Sequence, residues 1–98
     1  MNPSQSAVVQ FKDNQDEEYG EWLARNPSGF VVNDRGRGNY LLIHRGEGLR
    51  CIRQSGKNHT NPRAVSTKVC SPDRAALETW CVREFRRGPQ PCKHCFPI

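Results

Sequence analysis

Cys92 and Cys95 are separated by two residues in the segment Gly88-Pro89-Gln90-Pro91-Cys92-Lys93-His94-Cys95. This C-x-x-C spacing lets two thiolates take one metal ion from a single tight turn, and it supplies half of a tetrahedral site. The same spacing serves redox chemistry when the first cysteine opens a helix, whose positive end favours the thiolate. Only three residues follow this pair and one is Pro97, so the metal reading is preferred. Lys93, inside the knuckle, favours deprotonation under either reading. His94 is awkwardly placed to ligate from within the turn and is expected to face solvent.

Size makes such a staple necessary. The chain has 98 residues, of which 35% are hydrophobic, and a mean hydropathy of -0.83. That is one domain with a small apolar core, the class of chain that leans on metals or disulfides. Five cysteines is an odd number. The opening Met1-Asn2-Pro3-Ser4-Gln5-Ser6 lacks the basic and apolar regions of an export signal, so a reducing, cytoplasmic setting is expected. Apolar runs such as Leu41-Leu42-Ile43 fall far short of the roughly 20 residues a membrane span needs.

Charge is segregated along the chain. Asp13, Asp16, Glu17, Glu18 and Glu21 are half of the acidic residues, and from Trp22 onward there are 14 basic against 5 acidic side chains, a balance of +9. The acids suit the positive end of a helix over 15–25, in which Tyr19, Trp22 and Leu23 recur at helical spacing. Asn26, before Pro27, is pushed out of the helical region and ends it. Residues 1–12 are expected to be a loose arm, with a single domain over 13–98. Strands are expected at Phe30–Asn33, Tyr40–His44, Leu49–Ile52 and Ala64–Cys70, with a polar loop over 53–62. Ser71 as cap and Pro72 at the first position predict a second helix, carrying Leu77, Trp80, Cys81 and Phe85 on one face and ending near Arg87. The proline-rich 89–98 segment reads as irregular. The expected fold is α+β, a short antiparallel sheet with two helices and the knuckle.

Two more ligands must come from His44, Cys51, His59, Cys70 and Cys81. Cys81 lies on the apolar face of the second helix and reads as a small buried hydrophobe. His59 stands in a polar loop without a nearby partner. His44 and Cys51 sit at the ends of adjacent short strands, so the expected set is His44, Cys51, Cys92 and Cys95, with Cys70 as the substitute. A closed site of this kind holds zinc and contributes folding free energy rather than an open coordination position for catalysis.

The order of an early ligand pair, then Val69-Cys70-Ser71-Pro72-Asp73-Arg74-Ala75-Ala76-Leu77, then the Pro91-Cys92-Lys93-His94-Cys95 knuckle resembles the zinc-binding domain of the Ada DNA-repair protein over about residues 40 to 96. In that family four cysteines bind zinc, and the first also accepts a methyl group from a DNA phosphotriester. The resemblance places Cys92 and Cys95 at the last two ligands, Cys51 at the second and His44 at the first. The chain departs from the family in the H-x6-C spacing of the first pair and in the histidine itself. An imidazole on zinc is a far poorer methyl acceptor than a thiolate, so the resemblance implies fold and DNA contact more than repair chemistry. A second resemblance, from Trp22-Leu23 through Asn39-Tyr40-Leu41-Leu42-Ile43-His44-Arg45, is to small modules of bacterial restriction endonucleases that target modified DNA.

Arg35, Arg37, Arg45, Arg50, Arg53, Lys57 and Arg63, with Glu47 the one acid among residues 35–63, form a basic stretch of net +6. Arginines on a glycine-rich turn such as Arg35-Gly36-Arg37-Gly38 can approach phosphates closely and bind their oxygens in a fork. With a pI of about 9.2, this predicts a module that binds double-stranded DNA through its phosphates. A nuclease domain or another protein is a further expected partner. The rivals are a protein adaptor docking through the acidic helix and a stoichiometric methyl acceptor. No motif for turnover catalysis occurs.

Overall fold

A computed structural model of the chain describes residues 8–12, 14–35, 41–46, 66–93 and 95–96. Consecutive residues are wholly buried at Val31-Val32 and again at Val69-Cys70. Side chains alternate between the faces of a strand, so a buried pair of neighbours requires a sheet covered on both sides. The helices provide that cover. Helix α1 (Asp16–Arg25) packs Tyr19, Trp22 and Leu23 on Phe11, Val31 and Cys70. Helix α2 (Arg74–Phe85) packs Leu77 and Cys81 on Val32, Leu41, Ile43 and Val69 on the other face.

The sheet comprises β1 (Val9–Phe11), β2 (Phe30–Arg35), β3 (Leu41–Arg45), β4 (Ser66–Ser71) and β5 (Gln90–Pro91), in the order β1-β4-β2-β3-β5. Neighbours are antiparallel except β5, which runs parallel to β3 with Leu42 opposite Gln90 and Ile43 opposite Pro91. The fold class is α+β as expected. Its sheet is mixed rather than purely antiparallel.

Helix α1 ends as the sequence predicts. The Asn26 backbone N–H and side-chain amide both donate to the Trp22 carbonyl at 2.9 Å, and Pro27 follows. Three elements differ from expectation. The last residues of the supposed loose arm over 1–12 form β1, because Val9–Phe11 pair with Lys68–Cys70 and Phe11 is buried under α1. The second helix is capped by Asp73, whose Oδ1 accepts from the Ala75 N–H at 3.0 Å, and not by Ser71. Ser71 is held extended in β4 opposite Phe30, and its Oγ accepts from the Asp73 N–H instead. The segment read as irregular contains β5. It lies at the sheet edge, where a proline lacking its N–H is tolerated. The strand expected at Leu49–Ile52 and the loop over 53–62 lie outside the described residues.

Where β2 begins, space is tight. A Cβ on Gly29 would come within 2.7 Å of the Trp22 ring and within 3.2 and 3.3 Å of the Asn26 and Ser71 carbonyl oxygens. Gly29→Ala is therefore expected to destabilise the fold by about 1–3 kcal/mol, the usual cost of overpacking. Urea denaturation reads this directly, and an unchanged midpoint would refute the tight packing.

Candidate metal centre

Strand β3 alternates Leu41 and Ile43 into the core beneath α2, which turns His44 toward the opposite face, the α1 side. The parallel pairing of β5 then determines what stands next to it. One step beyond Ile43–Pro91 brings Cys92 beside His44, and the Cys92 N–H donates to the Ile43 carbonyl at 3.0 Å. The chain turns tightly there, with the Phe96 N–H donating to the Cys92 carbonyl at 2.8 Å, and Cys95 comes back over the histidine. Its Sγ lies 3.7 Å from His44 Nδ1. The ligand atoms of His44, Cys92 and Cys95 are all within 4.8 Å of one another, close enough to hold a metal ion.

His44 is 5% exposed and Cys92 is 4% exposed, whereas Cys95 is half-buried. Burial, and after it the ammonium of Lys68, holds the His44 imidazole down to about 4, so at neutral pH the ring is uncharged. A neutral imidazole is the form that ligates a metal. Lys68 is itself buried and donates to Asn33 Oδ1 at 2.8 Å across β2 and β4.

Cys70, the substitute ligand, is not drawn into this group. It shares a face with His44, but Val31 lies between them, opposite both. Two strand spacings separate their backbones by roughly 10 Å. Cys70 is instead wholly buried among the residues under α1, and that burial pushes its thiol far above the ordinary range. Cys81 is likewise a core thiol beneath α2, pushed up to about 11 by burial, then by Asp34 and Glu78. Both favour the neutral thiol over the thiolate that binds metal. Cys51 lies outside the described residues, as do His59 and His94.

Of the basic stretch, Arg37, Arg50, Arg53, Lys57 and Arg63 lie outside the described residues, and Arg35 is described only as the last residue of β2. Arg45 closes β3, and its Nε donates to the Cys95 carbonyl at 3.0 Å. Its guanidinium also lies over the Phe96 ring, 4.6 Å from the centroid. Phe96 directly follows the knuckle and is held by several partners. It is half-buried, stacked on Phe30 at 6.4 Å, with Arg74 over its ring at 4.4 Å. The sequence signal for this contact was an aromatic directly after the second cysteine, but nothing local told which face of the sheet it would meet. Comparison of the chain with protein-family models, with curated proteins and with solved structures returns no match.

Proposed function

We propose that the chain is a zinc-stabilised module that binds duplex DNA through phosphate contacts. The convergence of His44, Cys92 and Cys95 carries the first half of this reading. With zinc–sulfur bonds of about 2.3 Å and zinc–nitrogen bonds of about 2.0–2.1 Å, tetrahedral ligand atoms lie roughly 3.4–3.8 Å apart. The 3.7 Å between His44 Nδ1 and Cys95 Sγ suits that geometry. Two thiolates and an imidazole favour zinc over magnesium or calcium, which take oxygen. Cys51 is proposed as the fourth ligand, closing the site so that the ion serves folding and leaves no position for a substrate.

DNA binding is supported by charge. The stretch over residues 35–63 carries +6, and half of the acids are gathered apart from it, over residues 13–21. Arg35, the last residue of β2, and Arg37, two positions on in the sequence, are proposed as phosphate contacts. Elemental analysis is expected to find one zinc per chain. The logarithm of the DNA association constant should fall against the logarithm of salt with a slope of about -0.9 per phosphate contact, with roughly three to five contacts. Replacing Arg35 and Arg37 together by Ala should shallow that slope by about one to two without unfolding the domain. A chain that binds no duplex in a salt-sensitive way, modified or plain, has a merely solvated basic face, and docking through α1 on a protein partner then takes precedence.

A further inference from the structure

We propose that Arg45, Phe96 and Arg74 form a clamp that positions the metal-binding knuckle, a role that rests on the zinc reading above. Neighbouring residues of a strand point to opposite faces. Strand β3 thus offers His44 on the α1 side and Arg45 on the α2 side, and the knuckle engages both. Cys92 and Cys95 meet His44, while Phe96 packs with the residues beneath α2. The last strand residues are gripped from two sides by one short segment of chain.

The grip converges on Cys95, the most exposed of the three ligands. Arg45 Nε holds its carbonyl at 3.0 Å. The next residue, Phe96, is fixed by four contacts. Its N–H donates to Cys92, its ring stacks on Phe30 with planes 11° apart, and two guanidiniums lie over it at 4.6 and 4.4 Å. Arg74 is in turn tied to Glu78 at 3.3 Å on the next turn of α2. Two like charges on one ring repel each other, so the arrangement requires compensation. The ring's negative faces, the Cys95 carbonyl and the Glu78 carboxylate supply it. Partners that orient first-coordination ligands typically change metal affinity by about 10- to 100-fold, because a ligand that wanders must be ordered again each time metal binds.

The test is a competition titration of the full chain against a zinc chelator, run on wild type, Phe96→Ala, Arg45→Met and Phe96→Tyr, with cobalt(II) as a spectroscopic stand-in for zinc. Phe96→Ala and Arg45→Met should retain one metal per chain and the tetrahedral cobalt spectrum, since every ligand is intact. Their zinc Kd should rise roughly 10- to 100-fold. Phe96→Tyr, which keeps the ring faces, should bind as wild type does. Because zinc binding and folding are coupled, loss of stability by itself also raises the Kd, so Cys70→Ala, which destabilises the core under α1 away from the knuckle, is the reference: a merely structural contact raises the Kd no more than this variant does for the same drop in the thermal transition. Zinc Kd values within about twofold of wild type in both variants would overturn the clamp. If Phe96→Ala fails to fold, Arg45→Met decides by itself. A wild-type chain that takes up no zinc removes the metal centre itself and the clamp with it, and the same titration tells that result from the loss of the clamp alone.

Discussion

Stripping the metal with a strong chelator is expected to abolish the cooperative unfolding transition. Structural zinc in small domains contributes apparent binding free energies of about 10–16 kcal/mol, whereas the net stability of a domain is only about 5–15 kcal/mol. An ion held by His44, Cys92 and Cys95 would join β3 to the knuckle, so its loss should release β5 and open a site whose His44 and Cys92 are both deeply buried. Cys92→Ser should reproduce most of this effect, because serine is a poor ligand for zinc. Cys70→Ala is the control. It removes a wholly buried thiol from the core under α1 and should cost about 1–3 kcal/mol while keeping zinc stoichiometry intact. Circular dichroism and elemental analysis on the three proteins read both quantities. If Cys70→Ala releases the metal while Cys92→Ser holds it, the centre has been assigned to the wrong residues.

Acid is expected to act on the same centre, with a slope fixed by proton counting. Folded and metal-bound, Cys92 and Cys95 are thiolates and His44 is a neutral imidazole, so none of the three carries its titrating proton. Unfolded below about pH 6.5, all three do. The unfolded state therefore binds more protons, and stability rises with pH. Three protons correspond to about 4 kcal/mol per pH unit below pH 6.5, easing to about 2.7 between 6.5 and 8.5, where only the two thiols still differ. The fold itself also disfavours the His44 cation. The His44 pKa is lowered to about 4 by burial and then by Lys68, so the histidine contribution is complete above 6.5 and disappears as pH falls to about 4. Urea midpoints of the loaded protein at about pH 7.5 and 5.5 should differ sharply. Equal midpoints would mean that none of these groups changes protonation on unfolding.

The local parts of this fold are legible in the sequence, and the long-range parts are not. Tyr19, Trp22 and Leu23 at helical spacing, followed by Pro27, are sufficient to place α1. The same logic locates the apolar face of α2 at Leu77 and Cys81 but starts the helix too early. Ser71 is a good cap by composition, yet β2 claims it for the sheet, and local preference yields to strand pairing. Strand β1 has only three residues, and its pairing with β4 makes it a strand. Strand β5 contains a proline and reads as irregular until its position at the edge is known. The metal group divides in the same way. C-x-x-C identifies Cys92 and Cys95 at a glance. The choice of His44 over Cys70 depends on strand order, because β3 and β4 flank β2 on opposite sides and β3 is the strand paired with β5, which leads into the knuckle. The packing of Phe96 is hidden from the sequence for a related reason: its partners, Phe30, Arg45 and Arg74, come from three separate elements.

The parallel pairing of β5 with β3 also bears on how copies of this chain behave toward one another. His44 and Cys95 are 51 positions apart, and β4 and α2 are synthesised between them. Until the knuckle arrives, the outer edge of β3 presents the backbone of Leu42 and Ile43 with no strand beside it. An unpaired apolar edge is a template for strands of other molecules. Metal that anchors the knuckle keeps this edge capped by two residues of the same chain, one of them a proline, which offers an incoming strand no amide hydrogen. Zinc-starved chains should accordingly cluster through β3, an outcome that would make the proposed ion a guard of solubility as well as of fold.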